Sequence, residues 1–398
     1  IAGCSIIEFV DPNTYLAIDF EGEQGWHATD AERRAWQDHE TVDLEFGMPR
    51  RATRVDDFAN RDLLDDIEFG LMRATVLKAA IELEIFTRLA EGHRTVPALS
   101  RIGGTNERGT RILLDALCFI GLLSKQHTEY RLSPTAEAFL VKGKPSYYGD
   151  AMLGDYAWDA RGQLSKLLRT GKPILPAAYS DAFEATWAGA AASNLADWQR
   201  QIESANAFWD KVGVSADNLK VLRVHDVACG SALLSFALAK RYSIVRLTAI
   251  DRPMVLPYVK QLAEAMGVAS QVTLQAGDAL NLDLKPESSD VILFGNITEY
   301  LSPEQNIGMF RKAYEALVPN GRAVITAPIA DEDHKGPGQV PISGIDMLLF
   351  SPEGDTYTFV EYRGMLETAG FSEVSNYKDD WGIVSARRID KPPAKNEK

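Results

Sequence analysis

The sequence predicts an α/β protein whose second half is an open, mostly parallel sheet wound by helices and whose first half is mainly helical. Two observations carry this. From Lys220 onward, short runs rich in β-branched residues alternate with helical stretches, as repeated strand–helix–strand units require. From Ile67 to Leu123, apolar residues instead recur every three or four positions, the mark of helices that bury one face. The chain has 398 residues, 45% hydrophobic and 25% charged. At roughly 150 residues per domain this suits two or three cores and excludes a small module or a globally disordered chain.

In order along the chain, residues 1–65 are rich in acids, arginine and turn formers with scattered apolar anchors, and read as an extension that packs on something else. Residues 66–145 read as a compact helical unit. Within it, Thr95 offers an N-cap, Pro97 a first turn, and Gly103-Gly104 a stop, while Thr105 can cap the helix through "RGTRILLDALCFIGLL". "SKQHTEYRLS" follows as a short polar hairpin. Residues 146–215 carry further helices with Tyr147, Tyr148, Tyr156, Trp158, Phe208 and Trp209, read mostly as packing with a few lining a pocket. Residues 216–398 hold the sheet: "VLRVHDVA", "VRLTAID", "QVTLQAGD", "DVILFGN" and "GRAVITAP" are strands, "YTFVEYRGMLETAGF" is a helix closed by Gly370, and "SEVSNYKDDWGIVSARR" is a final strand pair.

Helix, helix, hairpin is the outline of a winged helix and invites a DNA-binding reading. Charge opposes it: 42 lysines and arginines stand against 56 acids, a net −14, which disfavours nucleic acid and anionic membrane. The helix that would enter a groove offers Arg108 and Arg111 and is otherwise apolar, so it suits a protein partner. Cys4, Cys118 and Cys229 are odd in number and far apart, suggesting neither a disulfide framework nor a zinc site; a reducing, cytoplasmic setting is expected. No run is long enough to span a membrane. The start at Ile1 leaves a removed leader open.

The chemistry concentrates at the carboxyl ends of the first three strands. The first ends in Asp226-Val-Ala228-Cys-Gly230-Ser-Ala232 before a helix, and its small residues let a ligand approach the backbone closely. The second ends in Asp251, twenty-one positions after Gly230, where an acid can accept both hydroxyls of a ribose. The third ends in Gly277-Asp278-Ala279, with an acid placed for an adenine amino group. The first turn lacks the G-x-G-x-x-G that a pyrophosphate needs. A nucleoside bearing an amino acid and no phosphate fits better, and S-adenosylmethionine is that ligand.

The order of "VLKAAIELEIFTRLAEG", "RILLDALCFIGLL", "YRLSPTAEAFLVKGKPSYYGD", "DVACGSALLSFALAKR", "LQAGDAL", "NITEYLSPEQN" and "GDTYTFVEYRGMLETAGF" resembles the small-molecule O-methyltransferases of the plant caffeate and acetylserotonin type, from about Leu71 to Arg388. The resemblance implies an all-α winged-helix dimerisation domain, helices that cover the site, and a Rossmann-like class I methyltransferase domain. It also implies a homodimer, S-adenosylmethionine as donor, S-adenosylhomocysteine as product, a small-molecule acceptor and no metal. By position Gly230 would lie under the methionine moiety, Asp251 would hold the ribose, and Asp278 with Ala279 the adenine. Asp226, Ala228, Arg252, Gly277 and Asn296 complete the expected cofactor set. Tyr148, Trp158, Arg161, Phe208, Trp209 and Met347 are the expected acceptor-side residues.

Two positions depart from the family. Ala232 replaces the third small position of the glycine-rich turn, at little cost if its backbone angles stay allowed. Where O-methylating members carry a histidine base after the fourth strand, this chain reads Asn296-Ile-Thr298-Glu299-Tyr300. His225, on the first strand, reads as structural, and His334 lies in the loop after the fifth. A hydroxyl must lose its proton as it takes a methyl, a task for an imidazole. A thioether sulfur has no proton to lose, so alignment suffices. The pattern therefore favours S-methylation, with the methylthiohydroxybutyrate S-methyltransferases of dimethylsulfoniopropionate synthesis as one base-free case in the family. Neutral-amine, carbanion or hydroxyl acceptors, and a non-methylating use of the pocket, remain as alternatives. Glu299, Tyr300 and Asn296 are the catalytic candidates: Glu299 as a base if burial raises its pKa, or with Tyr300 as a stabiliser of a forming cation. Arg161, Arg169 and Asn296 are candidate anchors for an acidic acceptor.

Overall fold

The computed structural model describes residues 6–11, 14–18, 61–144, 147–149, 158–214, 220–377 and 382–389; Tyr156 lies outside them. The chain divides into two compact units, residues 1–67 and 68–398. In the first, strands β1 (Ile6–Asp11) and β2 (Thr14–Ile18) pair antiparallel. Helix α1 (Asp62–Glu82) begins ahead of the apolar periodicity at Ile67. Asp62 and Asp65 in its first turn complement the helix dipole, and Arg61 pairs with Asp65 at 3.0 Å.

In the larger unit, α2 (Ile85–Ala90), α3 (Val96–Gly103) and α4 (Glu107–Phe119) precede the hairpin of β3 (Leu123–Gln126) and β4 (Glu129–Leu132), then α5 (Pro134–Phe139). This is the winged-helix outline. Helix α3 stops at Gly104, whose φ of 64° is one that glycine adopts without strain. The cap of α4 is one residue later than the sequence suggests: Asn106 accepts the Gly109 N–H at 2.6 Å, while Thr105 pairs its hydroxyl with that of Thr110. Phe86, Leu99, Leu114, Leu117 and Tyr130 fill the core between helices and hairpin. Asp115 ties α4 to the hairpin by accepting from Tyr130 Oη at 2.7 Å and Lys125 Nζ at 2.6 Å. Arg111 donates to the same carboxylate, so its charge is already engaged.

The rest of the unit contains α6 (Trp158–Arg161), α7 (Leu164–Thr170) and the long α8 (Glu184–Val212), then a seven-stranded sheet among the described residues. Its strands are β5 (Leu222–Val227), β6 (Val245–Asp251), β7 (Val272–Ala276), β8 (Ser289–Gly295), β9 (Leu317–Thr326), β10 (Ser372–Tyr377) and β11 (Ile383–Arg387), in the order β10-β11-β9-β8-β5-β6-β7. Strands β5 to β9 are parallel, and β11 runs antiparallel to both β9 and β10. The helices are α9 (Leu233–Arg241), α10 (Leu256–Met266), α11 (Pro303–Ala316), α12 (Val340–Phe350) and α13 (Phe359–Thr368).

Both faces of the sheet are covered, which explains why its strands read as nearly continuous apolar runs. Val224, Leu247, Leu293 and Val324 pack with Trp209, Phe236 and Leu262 on one face. Ile292, Phe294, Ala323 and Ile325 pack with Phe310, Tyr362 and Leu366 on the other. Each such fully buried Val, Leu, Ile or Phe side chain contributes roughly 1.5–3 kcal/mol. Strand order reverses where β5 lies between β6 and β8, and sheets of this kind bind ligands outside the carboxyl ends at that point. Among the described residues no helix is long and apolar enough to cross a membrane.

Candidate active site

A cavity of about 690 Å³ opens at that reversal, lined by the residues that follow β5, β6, β7 and β8 and by one face of α8. The turn after β5 borders it through Ala228, Gly230 and Ala232, all with φ between 53° and 58°. A Cβ on Gly230 would meet no protein atom within 4 Å, because its backbone faces open space.

Ala232 corrects the sequence reading: its φ of 58° lies in the left-handed region, which costs a residue with a Cβ about 1–2 kcal/mol. Its methyl is buried at 2% exposure, so Ala232→Gly relieves strain but loses packing and is expected to be near neutral. Ala232→Val adds a β-branch where such residues are outliers. It is expected to cost about 3 kcal/mol or more, read from a urea midpoint.

Asp251, at the end of β6, organises this turn. Its Oδ2 accepts the Gly230 N–H and its Oδ1 the Arg252 N–H, both at 2.7 Å. Burial pushes its carboxyl up, and those two N–H groups pull it back. Asp226 is buried at 2% exposure and accepts the Ser235 hydroxyl at 2.5 Å. Burial pushes its pKa up to about 8, with Ser235 lowering it and the nearby Asp251 raising it. Two acids therefore face one cavity with Asp226 kept largely neutral at pH 7. Asp278 accepts the Leu280 N–H and the Asn281 side-chain amide, each at 3.0 Å. Asn296 borders the cavity at a φ of 52°, its N–H held by Thr326 O at 2.8 Å. Ala228, Ala232 and Asn296 thus place three strained non-glycine residues on one cavity, as functional sites often do.

The structure brings Asp226, Ala228, Gly230, Asp251, Arg252, Gly277, Asp278, Ala279, Asn296, Tyr300 and Phe208 to this wall. Seven other expected residues do not line it. Glu299 is buried at 2% exposure. It sits in the short helical turn Thr298–Tyr300, where neighbouring residues point about 120° apart; with Tyr300 on the cavity, Glu299 turns into the protein towards Tyr362, whose phenol is raised first by burial and then by this carboxyl. Burial pushes its pKa up to about 8, and its Oε2 has no hydrogen-bond partner among the described residues. Trp209 is in the core with its indole N–H on Leu234 O at 2.7 Å. Met347 packs with Phe183 and Phe350. Trp158 lies beneath the Lys78 ammonium, Tyr148 is half exposed, and Arg161 pairs with Asp346 at 2.9 Å. Arg169 is also absent from the wall.

Of the face of α8, sequence reading named Phe208 alone and missed the rest. Trp187, Ala191, Asn194, Gln201 and Ser204 recur with Phe208 at helical spacing along the cavity, with Arg200 beside them. Trp187 and Tyr300 meet with ring centroids 5.5 Å apart. Of the described histidines, His93, His127, His225 and His334, none lines the cavity. His225 instead shares a hydrogen bond with Ser289 at 2.7 Å, and burial lowers its pKa. Among the described residues no cluster of His, Cys, Asp and Glu could hold a metal ion. The lining suits a ligand rich in hydroxyl and amino donors at the strand ends, and towards α8 it offers the aromatic faces of Trp187 and Phe208 together with the polar Asn194, Arg200, Gln201 and Ser204.

Comparison with known proteins agrees with this geometry. Residues 66–142 match the O-methyltransferase dimerisation domain and residues 224–321 a methyltransferase domain. The chain is 28% identical over 325 residues to 3-hydroxy-5-methyl-1-naphthoate 3-O-methyltransferase of Streptomyces sahachiroi, covering 78% of this chain and 90% of that one. A candidate O-methyltransferase from Nostoc punctiforme superposes with a TM-score of 0.70 at 25% identity, over 83% of this chain and all of the other. Human N-acetylserotonin methyltransferase, solved with S-adenosylmethionine, shares the fold with a TM-score of 0.68 at 21% identity, over 86% of this chain and all of the other. With its dimerisation domain, its reversed parallel sheet and its acid-lined crevice, the chain belongs to the class I S-adenosylmethionine-dependent O-methyltransferase family.

Proposed function

We propose that the protein methylates a small acceptor whose reacting atom needs no imidazole to remove a proton, a thioether sulfur first among them. The observation that carries this is the cavity wall after β8, where Asn296 and Tyr300 face the space, Glu299 turns away, and no described histidine contributes. S-adenosylmethionine supplies an electrophilic methyl on a sulfonium sulfur. The residues present fit it: Asp251 and Asp278 reach the cavity as acceptors for hydroxyl and amino donors, and the open backbone at Gly230 leaves room for close approach. Asp226, Ala228, Arg252, Gly277, Ala279 and Asn296 complete the binding wall.

On the acceptor side the chain's work is positioning and exclusion of water. Trp187, Tyr300 and Phe208 offer aromatic faces that hold an apolar acceptor and stabilise positive charge as it forms. Arg200, with Asn194 and Gln201, replaces Arg161 and Arg169 as the anchor for an acidic group such as the carboxylate of methylthiohydroxybutyrate. The experiment supplies methyl-labelled S-adenosylmethionine with matched thioether, amine and phenol acceptors, each with and without a carboxylate. Label in a sulfonium product is the expected result; label confined to an ether sinks the sulfur assignment. O-methylation is the second reading, favoured by the Streptomyces relative's name.

The functional form is proposed to be a homodimer joined through the winged-helix unit. Phe69, Leu71 and Met72 on α1 and Phe119 on α4 are more than half exposed, an apolar surface that a partner would cover. Leu71→Asp changes a side chain with no buried role in the single chain, so it is expected to shift the protein from dimer to monomer in light scattering at micromolar concentration. A dimer unchanged by it would place the interface elsewhere.

A further inference from the structure

Between α7 and α8 the chain runs as a strap without regular structure from Ile174 to Ser180, then makes a short turn at Asp181–Phe183. One side is well fastened. Ile174 and Leu175 donate to Leu349 O, Ala178 donates to Phe350 O, and the Trp187 indole holds Ala178 O at 2.7 Å. The far side rests on fewer groups. Arg252 donates from one guanidinium nitrogen to Asp181 and from another to Tyr179 O, and Glu184 accepts the Met254 N–H at 2.6 Å.

Ala178 and Tyr179 form part of the cavity wall. Arg252 is the residue next to Asp251, which accepts its backbone N–H, and its guanidinium lies 3.9 Å from Asp278. One side chain thus joins the two acids proposed for the nucleoside to the strap beside them. Its guanidinium suits this task because it presents several donors in a fixed plane, so it can grip a carboxylate and a carbonyl at once. Opening the wall on this side requires Arg252 to release both.

Resting on the cofactor reading above, we infer that Arg252 is a positioning residue that latches the strap over the nucleoside end of the cavity and sets how fast cofactor and product leave. Asp181 is the informative handle. It is 88% exposed and does not line the cavity, so its replacement reaches a bound ligand only through Arg252 and the strap.

The test measures S-adenosylhomocysteine dissociation by stopped-flow fluorescence, with Trp187 as the reporter, for the full chain and for Asp181→Ala, Arg252→Ala, Arg252→Lys and the double alanine variant. Removing an exposed ion pair should speed dissociation about threefold in Asp181→Ala. Arg252→Ala, which also strips Tyr179 O of its donor, should speed it tenfold or more. The double variant should be no faster than Arg252→Ala, since both substitutions open one latch. Arg252→Lys should fall between, because an ammonium lacks the planar fork. Unchanged dissociation in Asp181→Ala, or multiplying effects in the double variant, would overturn the latch. An unaltered chain that binds no S-adenosylhomocysteine would overturn the cofactor reading and the latch together.

Discussion

Replacing Asp251 by Ala is expected to weaken S-adenosylhomocysteine binding by about 100-fold or more, which corresponds to roughly 2.7 kcal/mol. The effect is large because one carboxylate does two things. It accepts the backbone N–H groups of Gly230 and Arg252, and hydrogen bonds to a charged group contribute roughly 1.5–3 kcal/mol each. Those bonds hold the left-handed turn and the base of the Arg252 side chain, so losing them disorganises the pocket before any ligand arrives. The carboxylate also faces the cavity where ribose hydroxyls are proposed to bind. Asp251→Asn keeps one acceptor oxygen and should lose less. Calorimetric titration checks both variants, and an affinity for Asp251→Ala within threefold of the parent would remove Asp251 from the cofactor site.

The second large effect is one of stability. Glu299 is fully enclosed, and burial raises its pKa from the usual 4.5 to about 8. The folded chain therefore keeps a proton that the unfolded chain releases. That contribution to stability is complete below about pH 4.5 and is lost as the pH rises to about 8. Glu299→Gln cannot ionise and escapes the loss. Relative to the parent, the variant should gain stability steadily across this window, by a total on the order of 5 kcal/mol, and level off above it. Urea unfolding at pH 5, 7 and 9 measures the gain. Turnover should stay within about twofold of the parent because the carboxyl does not face the cavity. A loss of 10²-fold or more, the size typical of an acid–base group, would restore Glu299 to the chemistry.

How much of this was legible in the sequence depends on the element. The strands were, because five β-branched runs each ending in polar or small residues leave little alternative. Asp226, Asp251 and Asp278 were found for the same reason: a strand end fixes where its next residue lies. Helical residues were harder to read. Phe208 and Trp209 are neighbours in sequence, yet about 100° apart around α8, so one lines the cavity and the other fills the core. The face carrying Trp187, Asn194 and Gln201 shows the same periodicity as any packed face, and only the sheet's position tells which face meets the cavity. Glu299 misled in a similar way, since a tight turn decides which of Glu299 and Tyr300 looks into the site. Thr105 and Asn106 are both good capping residues, and the geometry at Gly109 selected the second.

Transfer without an imidazole is tested most directly by following labelled methyl transfer to the thioether acceptor at saturating S-adenosylmethionine from pH 5 to 7.5. This window spans the ordinary histidine titration near 6.5 and lies below the values of about 8 at Asp226 and Glu299. A kcat that is level across it is the predicted result, since the sulfur has no proton to lose. A kcat that rises through a single ionisation near 6.5 would show a base at work and contradict it.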